Sequence, residues 1–151
     1  NKKLEIGKNT FFGYSPEREN PGDKNFSYNK TPKVISGYTN SCLKLVNSVY
    51  QNITKKTFAC KTLEEAETSK LLENLYRSIN IGLVNEMKII CDKLNIDVHN
   101  VIESAATKNF GFQKFTPGPG LGGHCIPVDP YLLSWKAKKY APSFCNRDSN
   151  L

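Results

Sequence analysis

The stretch TLEEAETSKLLENLYRSINIGLVNEMKIICDKL, residues 62–94, decides the fold. Leu72, Leu75, Ile79, Leu83, Met87, Ile90 and Leu94 step by three or four along it, the spacing of one helix face. Thr62 opens it as T-L-E-E, a capping-box pattern with Glu65 three residues on. At 1.5 Å per residue the stretch is roughly 50 Å long, beyond the common globular helix. A helix of that length predicts the spine of a helical domain or part of a subunit interface. Gly82 sits in its interior at a cost of about 1 kcal/mol and predicts the close approach of another backbone.

Working outward, Asp97 is placed to cap a second helix over 98–107. Residues 108–128 are rich in Gly and Pro and read as a long loop. Asp129-Pro130 reads as an N-cap followed by Pro at the first helical position, so a last helix should follow over 131–140. Toward the N-terminus, KTFACKT (56–62) is short and extended in character. SCLKLVNSVYQNI places Leu43, Val46, Val49, Tyr50 and Ile53 at helical spacing, and KVISG (33–37) is a β-branched run stopped by Gly, a strand. YSPERENPGDKN (14–25) is an irregular loop. The body is mainly α, preceded by a small β-containing segment.

The bulk composition bounds the functions. With 151 residues, 38% hydrophobic and 23% charged, the chain reads as globular, and no apolar run approaches the roughly 20 residues of a membrane span. No apolar signal core opens it. The net charge of +7 arises from 21 basic and 14 acidic residues that are scattered rather than run together, so it reads as a solvated basic surface or as attraction to phosphates, and supports nucleic acid weakly. The five cysteines are odd in number and none has CxxC spacing, which argues against a zinc ribbon and against a disulfide framework. No metal ligand set is read from the sequence, and the setting is expected to be reducing and cytoplasmic.

The chemistry concentrates in GPGLGGHCIPVDP, residues 118–130. Gly118, Gly120 and Gly123 formally satisfy GxGxxG, but no strand precedes them and no helix follows directly, so a dinucleotide phosphate loop is not expected here. Cys125 stands in this glycine-rich loop beside His124, ahead of a helix N-terminus whose N–H groups would favour a thiolate. By residue type alone it is either a nucleophile or an inert thiol. Asp129, four residues on, is either a plain cap or a carboxylate able to hold a water or proton near that thiol. On the long helix Lys70 and Asn74 share one face, which Ser78 and Asn85 continue as a polar strip. That strip reads either as a solvated face or as donors aimed at a developing oxyanion. Glu17 is a loop carboxylate with no partner visible by pattern.

Taken together, YSPERENPGD, TPKVISGYT, SKLLENLYRSINIGLVNEMKIICDKLNID and PGPGLGGHCIPVDPYLL, in this order, resemble the UDP-glucose/GDP-mannose dehydrogenase family of nucleotide-sugar 6-dehydrogenases. YSPER with PGD, and GGHCIPVDP, are most similar to the branch acting on UDP-N-acetylhexosamines, such as UDP-N-acetylmannosamine or UDP-N-acetylglucosamine. The resemblance implies oxidation of a sugar 6-hydroxyl to a carboxylate with NAD, through a thiohemiacetal and a thioester on a cysteine. By match to the family's motifs, Cys125 is the nucleophile, and Lys70 and Asn74 are the K-x3-N pair that stabilises oxyanions and orients water. Asp129 is the aspartate of C-x3-D, and Glu17 the SPE glutamate, an acid/base or substrate-contact residue. Arg18, Phe115, Gly118, Gly120 and Gly122 are the expected substrate-binding residues, with the loop 114–123 closing over the nucleotide sugar.

The resemblance also implies an architecture. The expected fold is a helical central or dimerisation domain, like the C-terminal domain of 6-phosphogluconate dehydrogenase, with a long spine helix and a small β-containing remnant of a Rossmann domain before it. Residues 1–39 would end the NAD-binding domain, 40–141 form the helical domain, and 142–151 begin a further nucleotide-sugar-binding domain. The helix over 62–94 would be partly core and partly a homodimer seam, and neither nucleic acid nor membrane is an expected partner. The competing reading is a non-catalytic helical dimerisation module derived from the same family.

Overall fold

The structure, a computed structural model, describes residues 3–18, 31–123 and 126–140. Its elements run β1 (Gly13–Tyr14), β2 (Lys33–Gly37), α1 (Asn40–Gln51), β3 (Thr57–Ala59), α2 (Leu63–Lys93), α3 (Val98–Ala106) and α4 (Asp129–Ala137). The chain forms two compact units, Asn1–Lys70 and Leu71–Leu151.

In the first unit the expected strand KVISG is the centre of a three-stranded sheet of order β1-β2-β3. β1 pairs with it antiparallel, Tyr14 opposite Ser36, and β3 pairs parallel, Val34 opposite Phe58. Because parallel neighbours need a crossover, α1 packs back on the sheet between β2 and β3. Gly37 makes that crossover possible. A Cβ there would lie 2.2 Å from the Leu43 nitrogen and 2.6 Å from its Cα, atoms of the α1 backbone that have no room to yield. Thr39 caps α1 by accepting from the Cys42 N–H at 3.2 Å. The Cys42 sulfur, fully buried, accepts in turn from the Thr39 hydroxyl and the Phe12 N–H. Val34, Cys60 and Ala66 form the core here, with Tyr14 packed on them.

The spine helix forms as expected. Thr62 Oγ1 accepts from the Glu65 N–H at 3.1 Å, and Glu65 reaches back to the N–H of Lys61 rather than of Thr62, a capping box displaced by one residue. The helix stops where Asn95 turns left-handed at φ 54°, with the Ile96 N–H returning to the Cys91 carbonyl at 2.9 Å. Asp97 then caps α3 through the His99 N–H, as its position predicts. In the second unit Val84 and Cys91 of α2 join Val98 and Ile102 of α3 in a core against which Phe115 packs.

The structure chooses between the readings of the two faces of α2, and it corrects two expectations, at Gly82 and at the start of α4. Among the described residues the apolar stripe is core only in part, as expected of a helix that also offers an outward face. Leu75 is buried, but Leu72, Ile79, Leu83, Ile90 and Leu94 are about half to two-thirds exposed. The polar strip is not a solvated face, since Asn74 and Ser78 are 6% and 8% exposed. At 3.6 residues per turn the exposed stripe lies on roughly the opposite side of the helix from Asn74, so α2 turns its polar face inward. Among the described residues no backbone approaches Gly82, and a Cβ there would meet nothing within 4 Å. Finally, α4 begins at Asp129 rather than after it. Val128 occupies the cap position with no side-chain hydrogen bond, which releases the Asp129 carboxylate from capping.

Candidate active site

What Asp129 does instead is the central contact of the second unit. Its Oδ2 accepts from the side-chain amide of Asn74 at 2.5 Å, linking α4 to α2 across 55 residues of sequence. Asn74 is buried and Asp129 half-buried. A buried amide donor without an acceptor would cost about 1–3 kcal/mol, so the carboxylate satisfies a group that the inward polar face of α2 requires. Asp129 also sits in the first turn of α4, where the helix dipole favours a negative charge.

Lys70 lies one helical turn before Asn74 on α2, half-buried, and among the described residues its ammonium makes no hydrogen bond or ion pair. Cys125 and His124 lie outside the described residues. Cys125 is four positions before Asp129 in the sequence.

The loop expected to hold substrate, with Gln113 just before it, is tied to α2 at three points. Tyr76 donates its hydroxyl to Gln113 Oε1 at 2.9 Å. Phe115 meets the Tyr76 ring edge-to-face at a centroid distance of 5.9 Å. The Gly118 N–H donates to Asn85 Oδ1 at 2.9 Å. Lys114 pairs with Glu103 on α3 as well. Gly118 therefore spends its N–H on the protein. Gly120, Gly122 and Gly123 adopt positive φ (157°, 65° and 78°), which explains glycine at those positions, and a Cβ on any of them would meet nothing within 4 Å. Asn85 was visible in the sequence as part of the polar strip. Tyr76 was not, because a tyrosine on a helix carries no signal of the distant glutamine that it binds.

In the first unit Glu17 is exposed, and both of its carboxylate oxygens lie 3.2–3.3 Å from the ammonium of Lys33, the first residue of β2. Arg18 donates to the Pro32 carbonyl at 2.9 Å. Lys33 was not singled out in the sequence, since a lysine opening a strand ordinarily reads as an edge charge.

The described residues do not form a dinucleotide cradle. Their two strand-to-helix turns, residues 37–39 and 60–62, contain one glycine and none, so neither offers the glycine-rich phosphate turn that NAD binding uses. No group of three or more His, Cys, Asp or Glu among the described residues is placed to hold a metal ion, and no described helix is long and apolar enough to cross a membrane.

Residues 64–146 match the central domain of the UDP-glucose/GDP-mannose dehydrogenase family. The chain belongs to that family. It is similar to Protein CapL of Staphylococcus aureus, at 45% identity over 90% of this chain and 32% of the relative. It is also similar to the UDP-N-acetyl-D-glucosamine 6-dehydrogenase of Pseudomonas aeruginosa, at 44% identity over 89% of this chain and 32% of the relative. Among solved structures it resembles the UDP-N-acetyl-mannosamine dehydrogenase Cap5O from S. aureus, with a TM-score of 0.72 and 36% identity over 93% of this chain and 34% of that one. The chain spans about a third of the length of the curated relatives it matches. The long spine helix and the helices after it thus belong to a central domain of that family.

Proposed function

We propose that the chain is the nucleophile-bearing part of an NAD-dependent nucleotide-sugar 6-dehydrogenase. It would oxidise the C6 hydroxyl of a UDP-N-acetylhexosamine to a carboxylate, in a cytoplasmic route to surface polysaccharide precursors. The observation that carries this reading is the Asn74–Asp129 hydrogen bond. It sets the aspartate of C-x3-D against the helix that bears K-x3-N, although nothing in the spacing of the two motifs requires them to meet.

The residues divide the work by their chemistry. The Cys125 thiolate adds to the C6 aldehyde, forming a carbon–sulfur bond and an oxyanion, and so retains the intermediate between the two oxidations. The Lys70 ammonium, with no partner of its own among the described residues, is available to that oxyanion, as is the second N–H of the Asn74 amide. Asp129, with one oxygen engaged by Asn74, keeps its other oxygen to orient the water that hydrolyses the thioester. Glu17 serves as an acid/base or substrate contact. Arg18, Phe115, Gly118, Gly120 and Gly122 belong to the sugar-nucleotide binding surface, with the Gly118 N–H already engaged by Asn85. NAD, when bound, would supply the hydride acceptor.

The exposed stripe of α2 supports a homodimer seam along the helix, and the free Cys42, Cys60 and Cys91 support a reducing compartment. The test uses the protein with whatever sequence naturally flanks this chain. NADH formation is followed with UDP-N-acetylmannosamine, UDP-N-acetylglucosamine and UDP-glucose, for wild type and Cys125→Ser. The expected result is two NADH per sugar in the wild type, lost or stalled in the variant. No NADH with any sugar, from a folded and NAD-binding protein, would leave the dimerisation module as the better reading.

A further inference from the structure

Lys33 is the one lysine among the described residues that the fold buries, with its side chain 5% exposed. Taking an ammonium out of water costs several kcal/mol unless it is paired. Among the described residues its head group meets the Glu17 carboxylate at 3.2 and 3.3 Å and the face of the Tyr50 ring of α1 at 5.9 Å. The pair is unequal, because the Glu17 side chain is 63% exposed. A fixed, buried cation thus stands beneath a carboxylate that faces solvent. Exposed ion pairs contribute little to stability, and a buried lysine is a costly way to build one. The same carboxylate accepts from the Arg18 N–H at 2.8 Å, and Arg18 reaches over to the Pro32 carbonyl, so residues 17–18 are fastened to residues 32–33 by side chains from both segments.

From this arrangement we propose that Lys33 is a positioning residue for the reaction: it fixes the Glu17 carboxylate, both oxygens at once, in the orientation in which Glu17 meets the sugar nucleotide. The inference rests on Glu17 acting on the substrate as proposed above. Lys33 acts through Glu17 and does not touch the substrate. A point charge that straddles two oxygens limits rotation of the carboxylate, and small misplacements of such a group cost large factors in rate.

The test is a double-mutant cycle on the protein with its natural flanking sequence. It uses UDP-N-acetylglucosamine and UDP-N-acetylmannosamine as probes and reads kcat and KM, with circular dichroism and thermal unfolding recorded for every variant. Lys33→Met is expected to lower kcat by about 10- to 100-fold with KM for NAD unchanged. Lys33→Arg, which keeps the charge, should recover most of the loss. In a Glu17→Gln background, Lys33→Met should cost less than about twofold further, because the group it serves is already gone. If Lys33→Met is unfolded, Lys33→Gln, which keeps a donor without the charge, takes its place in the cycle. Equal losses with and without Glu17, or an unchanged kcat in the lysine variant, would overturn the proposal while leaving the dehydrogenase reading intact. An unchanged kcat in Glu17→Gln alone would overturn the role of Glu17, and this inference with it. No turnover by the wild-type protein would overturn both.

Discussion

At the scale of single residues, the informative side chains are those whose position contradicts the ordinary behaviour of their type. Asn74 is a buried amide and Asp129 a helix-start carboxylate that does not cap, and each explains the other. Asp129→Ala leaves the Asn74 donor buried without an acceptor and should destabilise the chain by about 1–3 kcal/mol in urea unfolding. Asp129→Asn retains an acceptor, so its stability cost should be smaller, while kcat in the whole protein should still fall by about 100-fold. A comparable loss of stability in both variants would mean that the carboxylate charge, not the hydrogen bond, holds α4. Burial, aided by the charge of Glu65, raises the pKa of the Cys60 thiol above its ordinary 9.0. The folded state therefore keeps the proton longer than the unfolded chain. This contribution is fully present below pH 9 and is lost as pH rises through the folded pKa. The urea midpoint should accordingly fall less steeply above pH 9 in Cys60→Ala than in wild type, and parallel curves would contradict the assignment.

At the scale of elements, α2 buries its polar strip and leaves most of its apolar stripe exposed. The sequence shows its start at Thr62, its length and its periodicity, and these are local properties. Periodicity alone cannot say which partner an apolar stripe meets. Here the stripe of Leu72, Ile79, Leu83, Ile90 and Leu94 faces outward while the polar strip faces α4 and the loop. Leu83→Glu should therefore leave the helical content and the unfolding midpoint of the isolated chain nearly unchanged, yet convert a dimer to a monomer in light scattering of the whole protein. Unfolding of the variant would show instead that the stripe belongs to this chain's own core. Gly82 has open space around it, so Gly82→Ala should stabilise α2 by about 0.5–1 kcal/mol in thermal unfolding. A destabilised dimer with a stabilised monomer would locate the backbone that the glycine awaits on a second copy.

At the scale of the whole molecule, the two units differ in how legible they were. In the first, the strand KVISG and its glycine stop at residue 37 follow from local chemistry, and the structure adds the cap at Thr39, the antiparallel β1 where a loop was expected from Tyr14, and the parallel pairing of β3 with β2. The small buried cores and the many exposed large side chains, Trp135, Tyr131 and Phe58 among them, mean that much apolar surface is left uncovered by the described residues. By itself the sequence determined the strand KVISG, the four helices and the family, because periodicity, capping and motif spacing are written within a few residues of one another. Only the tertiary structure decided that Asp129 turns to Asn74 instead of capping its own helix, that Asn85 holds the Gly118 N–H, and that Lys33 lies beneath Glu17. These are contacts between residues 16 to 55 positions apart, and their energy depends on burial and on the direction of one side chain, which no local pattern encodes.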